Sequence, residues 1–518
     1  MGYIIAHDMG TSGTASSLIN LEGKGGRIEI IDSVIREYDV IYPQVNWAEQ
    51  DPHIWWKTIS ENTIDLVKRT NLNPDDIDAI IPATQMDGTL PIDKTGKPLM
   101  NCMIWMDSRA IEQSKRLMDL TTTGAMLKNI RKIYTFLKIT GAGPGPKDIL
   151  SKILWIKDER PKMYSDTYKF LDCKDWVLYK STGKYVTSRD CASVSWILDI
   201  NKGKMNWSQK ICDLSKIDID KLPKVGDSTD IVGELTEEAA NQMNLKPGIP
   251  VINGCGDMSA ALVGSGAVRE NEVHLYVGSS AWLIAPVSKR LRKIAVMTGT
   301  VLGPDPEKKY MLVAHQESAG ACLKWIRDQI GKDETYEDLD RFAETSLPGS
   351  HNLIFTPWMF GERCPIQDPT LRGGIFNLSL DHTRADFIRA ILEGVAYHVK
   401  WMLQGVEELL SRNKGKVREI NIIGGGASSK IWCQIFADIT EKVINSMENP
   451  FQAGSVGAAL IAGVGLGKYK NFDALKEKVK IKDSYKPQTQ NKKTYDKLFI
   501  AYLKLYKSVS GIYKELNR

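Results

Sequence analysis

The strongest constraint on the fold is a short design that occurs twice. Residues 3–8 read as a compact apolar strand and 14–21 as another, joined by Met9-Gly10-Thr11-Ser12-Gly13. In the second half, 273–277 and 281–286 are again strand-like, joined by Gly278-Ser279-Ser280. Glycine and hydroxyl-rich turns of this kind can aim successive backbone N–H groups and hydroxyls at one phosphate. Either turn taken alone is equally an ordinary structural hairpin. Two of them, each opening one half of the chain, point to an internal duplication with a cleft between the halves. A length of 518 residues is too great for a single core, and the expected division is 1–267 and 268–518.

Between the hairpins, candidate chemistry collects at the ends of expected strands. Residues 250–253 read as a strand and 259–263 as the start of a small-residue helix, with Gly254 and Gly256 permitting the turn between them. Asp257 then sits where a strand ends and a helix begins, the usual place for chemistry in an open α/β sheet. A helix cap explains the same aspartate, and the helix N-terminus is expected to keep it ionised. Asp8, at the end of the first strand, is placed to hold a magnesium ion shared with phosphates.

A helix over 52–69 carries Trp55 and Trp56, and a strand over 77–83 delivers Gln85-Met86-Asp87-Gly88. Soon after comes Ile104-Trp105-Met106-Asp107-Ser108-Arg109. Asp87, Trp105, Asp107 and Arg109 combine a carboxylate, a planar donor and an aromatic face, the mixture a sugar pocket needs. Turn residues and a surface ion pair would leave the same pattern. Residues 141–146 form a Gly- and Pro-rich loop, and 214–232 a polar connecting region.

In the second half, 383–386 opens a long helix running to about 410, by a capping-type start. A strand over 419–423, the turn Gly424-Gly425-Gly426-Ala427-Ser428-Ser429 and a helix over 431–440 follow. Three consecutive glycines let a flat ligand, with adenine as the candidate, lie on the backbone, although a plain strand–helix turn is the default. A small-residue helix follows 451–457, and 492–518 reads as a charged amphipathic helix.

The formal net charge of +5 is spread along the chain, without the basic block of a nucleic-acid arm. The N-terminus lacks a cationic stretch followed by an apolar run, so no signal peptide is expected. No stretch is long and apolar enough for a membrane span. The eight cysteines are scattered, none at Cys-x-x-Cys spacing, and read as reduced buried thiols of a cytoplasmic protein. No His-Glu-x-x-His cluster exists among the seven histidines, so zinc is not expected. Neither a Walker loop nor a Gly-x-Gly-x-x-Gly after a strand is present. No segment announces an interface, and a homodimer is left open.

Taken in order, these segments resemble the FGGY family of carbohydrate kinases and within it the xylulokinase-like branch. The resemblance covers almost the whole chain. It runs through Asp8-Met-Gly-Thr-Ser-Gly, Trp47-Ala-Glu-Gln-Asp-Pro, Gln85-Met-Asp-Gly, Trp105-Met-Asp-Ser-Arg and Ile139-Thr-Gly. It continues through Gly254-Cys-Gly-Asp, Gly361-Glu-Arg-Cys-Pro, Leu392-Glu-Gly-Val, Gly424-Gly-Gly-Ala-Ser-Ser-Lys-Ile-Trp and Phe451-Gln-Ala-Gly-Ser-Val-Gly-Ala-Ala.

The resemblance implies an α/β protein of the actin-like ATPase (ribonuclease H-like) fold, with two duplicated domains flanking a central cleft. It implies ATP and Mg2+ as cofactors, a sugar or polyol as acceptor, and no nucleic-acid or membrane partner. Asp257 falls on the family's catalytic base and Asp8 on the carboxylate that positions magnesium. Thr11, Ser12, Gly13, Thr14, Gly278, Ser279 and Ser280 fall on the phosphate loops, and Gly425, Gly426 and Ala427 on the adenosine loop. Met86, Asp87, Trp105, Asp107, Arg109, Asp257 and Met258 fall on substrate positions. Two departures lie where the acceptor is chosen. Xylulokinases usually carry His at the position of Asp87 and Asn at that of Met258, so a preference other than D-xylulose is expected. An actin-like ATPase without a sugar, or a sugar-binding regulator without kinase activity, is the alternative.

Overall fold

The computed structural model describes residues 2–118, 126–293, 298–308, 310–330, 334–412 and 414–517. They form two compact units. The first comprises Met1–Gly264, Val301–Lys309 and Gly454–Lys478, and the second Ser265–Thr300, Tyr310–Ala453 and Val479–Arg518. Residues 301–309 and 454–478, from the second half of the chain, thus group with the first unit. The reason is visible at Gly454, in the first turn of the helix Ala453–Gly465. A Cβ there would stand 1.9 Å from Asp8 Oδ2, so only glycine lets this helix end lie against that carboxylate.

In the first unit, β1 (Tyr3–Met9), β2 (Gly13–Asn20) and β3 (Glu29–Glu37) are followed by α1 (Pro52–Thr70) and β4 (Ile77–Thr84). The helices α2 (Ile149–Glu159), α3 (Cys173–Thr182) and α4 (Arg189–Val194) come next. Then come β5 (Ile231–Glu234), β6 (Pro250–Ile252), β7 (Cys255–Gly256) and α5 (Asp257–Gly264). The strand order is β5-β6-β4-β1-β2-β3, with β7 also paired to β4. Strands β6, β4 and β1 run parallel, and the flanking pairs are antiparallel. Strand β5 begins inside the stretch that reads as connector in the sequence.

Local chemistry explains the boundaries of α1. Asp51 accepts the His53 N–H as N-cap, Pro52 supplies a preset φ at the first turn, and Asn71 closes the helix in the left-handed region. Its inner face buries Trp55, Ile59 and Leu66 against the sheet, within a core that also takes in Trp176 and Leu178 of α3.

The second unit repeats the plan. Its elements are β8 (Val273–Val277), β9 (Ala281–Val287), β10 (Tyr310–Gln316), α6 (Gly320–Ile330) and α7 (Arg384–Ser411). They continue with β11 (Glu419–Ile423), α8 (Lys430–Thr440), β12 (Val443–Met447), β13 (Ile481–Tyr485) and α9 (Lys492–Leu516). The order β13-β12-β11-β8-β9-β10 reproduces that of the first sheet, including the antiparallel edge strand beside two parallel neighbours. The chain position of the edge strand differs, since β5 precedes its partner and β13 follows, and the second sheet extends beyond β10 with strands Thr298–Leu302 and Arg292–Lys293. Thr383 and Asp386 form a reciprocal capping box at the start of α7, as the sequence leads one to expect.

Candidate active site

The parallel strands of the first unit bring two carboxylates to one end of the sheet. In the register, Asp8 of β1 and Cys255 of β7 both lie opposite Ala83 of β4, on its two sides. Asp257 follows β7 directly and is the first residue of α5. The turn before it depends on Gly254, whose φ is +73° and whose Cβ would stand 1.9 Å from the Pro82 carbonyl oxygen. Asp257 Oδ1 accepts the Met258 N–H at 2.8 Å.

Sequence reasoning missed what holds this turn. Asp190 of α4 is fully buried and accepts the Gly256 N–H at 2.9 Å and the Ser259 hydroxyl at 2.6 Å, clamping the residues on either side of Asp257. No local pattern marks Asp190, because its partners lie far along the chain.

The expectation of a readily ionised Asp257 is corrected by its surroundings. Burial, and after it the charge of Asp8, push its carboxyl up to about 7, against one stabilising backbone N–H. Burial likewise raises Asp8 to about 6. Removal from water outweighs the helix terminus here, and the two carboxylates repel each other. Among the described residues, no group of three or more His, Cys, Asp or Glu side chains is set to hold a metal.

The residues expected at a sugar are brought together, but not in one role. Asp87 adopts a left-handed φ of +69°. Its N–H and that of Gly88 donate to Asp172 at 3.2 and 2.7 Å, and Asp172 also caps α3. The buried Lys152 donates to the carbonyls of Asp87 at 2.7 Å and Ile104 at 2.8 Å, tying the Asp87 turn to the segment that carries Trp105. Burial, and then Asp148, hold the Asp87 carboxyl well above the ordinary range, with Lys152 pulling the other way. Asp172 was legible as a helix cap followed three residues on by Asp175. Lys152, a lysine inside an apolar helix, was the overlooked signal.

Asp107 and Arg109 are bound to each other. Asp107 is fully buried and accepts from the Ala48 N–H and from the Arg109 backbone and guanidinium. Arg109 also reaches Glu49 at 2.7 Å and stacks on Trp47, with its guanidinium carbon 3.6 Å from the ring centre. The carboxylate of Asp107 is thus spent within the protein. Met86 and Met258 pack with Cys191, Val194 and Val301 in a small apolar cluster.

The hydroxyls of the first glycine turn divide. Ser12 is exposed, and its hydroxyl has no partner among the described residues. Thr11 is engaged by Trp105 and Gln85. Thr14 is fully buried against Tyr38 at 3.3 Å, and Asn62 occupies its carbonyl, which leaves its side chain no route to a ligand.

In the second unit, the N–H groups of Ala319, Gly320 and Ala321 donate to the Gly278 and Ser279 carbonyls, bracing that turn from below. The Ser279 and Ser280 hydroxyls have no partner among the described residues. At the third glycine turn, Gly425 is exposed, whereas Gly426 and Ala427 are buried. The nearest atom to the open face of Gly425 belongs to the exposed ring of Phe451, 3.6 Å from where a Cβ would stand. Gly425 and Phe451 together offer a flat apolar surface.

A family model described as the N-terminal domain of the FGGY family of carbohydrate kinases matches residues 3–264, and its C-terminal counterpart matches 274–466. The chain is 29% identical over 521 residues to a xylulose kinase of Bacillus subtilis, covering 100% of this chain and 98% of the relative. Its fold superposes on a ligand-bound xylulose kinase from Lactobacillus acidophilus with a TM-score of 0.88 at 26% identity, with 100% of both chains covered. A gluconate kinase from the same organism gives 0.87 at 26% identity, with 99% of both covered.

Proposed function

The chain belongs to the FGGY family of carbohydrate kinases, and on that premise we propose that it transfers the γ-phosphoryl group of ATP to a primary hydroxyl of a ketose or polyol. The observation that carries the assignment is Asp257, held between Gly256 and Ser259 by Asp190, next to Asp8 at the sheet end. Its Oδ1 is spent on Met258, which leaves Oδ2 to accept the acceptor hydroxyl. As the oxygen attacks the γ-phosphorus and the bond to the β-phosphate oxygen breaks to release ADP, the hydroxyl proton passes to Asp257. A base whose pKa lies near the working pH suits this transfer, because it is ionised before the step and holds the proton after it. Phosphoryl transfer asks the protein mainly for alignment and charge compensation.

The donor set fits magnesium. Two half-buried carboxylates, short of protein partners and repelling each other, are hard oxygen ligands of the kind that serve Mg2+ together with water and phosphate oxygens. Asp8 would hold it, beside Asp257, and a bound ion would supply neutralisation of phosphate charge. Ser12, Ser279 and Ser280 serve the phosphates with the backbone N–H groups of their turns, and Gly425 with Phe451 receives the adenine. Eight buried, unlinked cysteines support placement in the reducing cytoplasm.

Acceptor choice rests on Asp87 and Met258. Asp87 lies beside Asp148, Asp172 and the Lys152 ammonium, and an acidic sugar such as gluconate would add a further negative charge to carboxyls already costly to ionise, which disfavours it. Met258 offers apolar surface where a hydroxyl would seek a partner, which lowers activity on D-xylulose. A screen of pentuloses, hexuloses, polyols and aldonic acids with ADP release as readout tests the assignment. Sugar-dependent release is expected. ATP turnover that no sugar stimulates would instead identify an ATPase of another kind.

A further inference from the structure

The first glycine turn is wired to the segment carrying Trp105, and the direction of every hydrogen bond in the wiring is fixed. Indole N–H groups can only donate. Trp55 Nε1 donates to Gln50 Oε1 at 3.2 Å, so the Gln50 amide nitrogen faces the other way and donates to the Thr11 carbonyl at 2.7 Å. Gln50 Oε1 also accepts Gln85 Nε2 at 2.7 Å, which turns Gln85 Oε1 toward Thr11. The Thr11 hydroxyl donates to it at 3.2 Å and accepts Trp105 Nε1 at 2.8 Å. Thr11 is held at its hydroxyl and its carbonyl in one closed ring, and both glutamines are buried.

The hydroxyl of Thr11 thus donates to Gln85 while it accepts from Trp105. Trp105 is half-buried, and the carbonyl of Ile104, just before it, shares Lys152 with the carbonyl of Asp87. A fully satisfied buried network moves as a unit, since displacing one member leaves another unpaired at a cost.

We propose that Trp105, Thr11, Gln85 and Gln50 form a positioning relay. An acceptor sugar seated against the Trp105 indole sets the backbone of the first glycine turn for the phosphates of the nucleotide, so the two substrates bind cooperatively. The relay rests on the kinase reading above and assigns Thr11, Gln85 and Gln50 to coupling. Linkage makes it reciprocal, so bound nucleotide tightens the sugar by the same factor.

The test measures Kd of the non-hydrolysable analogue adenylyl-imidodiphosphate with magnesium, without and with saturating D-xylulose, by calorimetry on the full chain. In the parent protein the sugar is expected to tighten the analogue roughly tenfold. Thr11→Val, which keeps the branched shape and deletes the hydroxyl, should bring that ratio below about twofold. Trp105→Phe removes the same hydrogen bond from its other end, should give the same loss, and serves if Thr11→Val does not fold. Thr11→Ser restores the hydroxyl and should restore the ratio, which a merely structural role would not demand. Folded Thr11→Val or Trp105→Phe protein that keeps the parent ratio overturns the relay, as does a parent whose analogue affinity is unchanged by D-xylulose that calorimetry shows to be bound. Failure of the kinase reading shows separately, as a parent that releases no ADP with any sugar of the screen.

Discussion

Replacing Asp257 by Asn should cripple catalysis and stabilise the fold, and the stability gain should depend on pH. The folded-state pKa stands at about 7 against the usual 3.8, a rise caused first by burial and then by Asp8. Roughly three units at about 1.4 kcal/mol each set an upper bound near 4 kcal/mol, and about 2–4 kcal/mol is expected. The sign follows from proton binding. Between about pH 4 and pH 7 the unfolded chain has lost a proton that the native protein keeps, so stability falls as pH rises through that window. Above it, the native protein carries the full cost of the buried charge. The asparagine carries none. Thermal melting of both proteins in chelator at pH 5 and pH 8 reads the difference. A gain of roughly 2–6 °C is expected at pH 8, and a clearly smaller one at pH 5. Turnover should drop by ~10²–10⁴-fold, the usual worth of a positioned base. A variant equally stabilised at both pH values would refute the electrostatic account, and near-normal turnover would remove Asp257 as the base.

In the parent enzyme, kcat/KM should rise with pH through about 7 as Asp257 becomes ionised, and a profile flat from pH 6 to 8 would contradict this. Asp190→Asn withdraws one negative charge from near Asp257 and weakens the clamp on Gly256 and Ser259. Its acid limb should move to lower pH while kcat falls about tenfold, and an unmoved limb would make Asp190 purely structural. The double variant Asp87→His, Met258→Asn should recover roughly ten- to a hundredfold in kcat/KM on D-xylulose, and no gain would show that acceptor choice lies elsewhere. Gly254→Ala meets both a positive φ and the Pro82 carbonyl, so soluble protein with an unchanged melting temperature would show that the turn can relax.

The duplicated hairpin, the two α/β sheets and the strand ends at which Asp8 and Asp257 lie were all legible in the sequence. They depend on local rules. Alternation of apolar residues, glycine at turns and caps at helix starts act over a few neighbours, and any stretch of chain displays them. Other features depend on which distant segments meet. Burial in company with Asp8 overrode the helix terminus and raised the Asp257 pKa, a balance no local pattern contains. Asp107, legible as a sugar ligand, is consumed by Ala48 and Arg109, and Thr14 is sealed beneath Tyr38. Asp190, Lys152 and Gln50 act only through partners brought close by the sheet and its helices. A side chain's chemical type is written in the sequence. Whether its polar atoms remain free for a ligand is decided only when folding has assigned them partners and removed them from water.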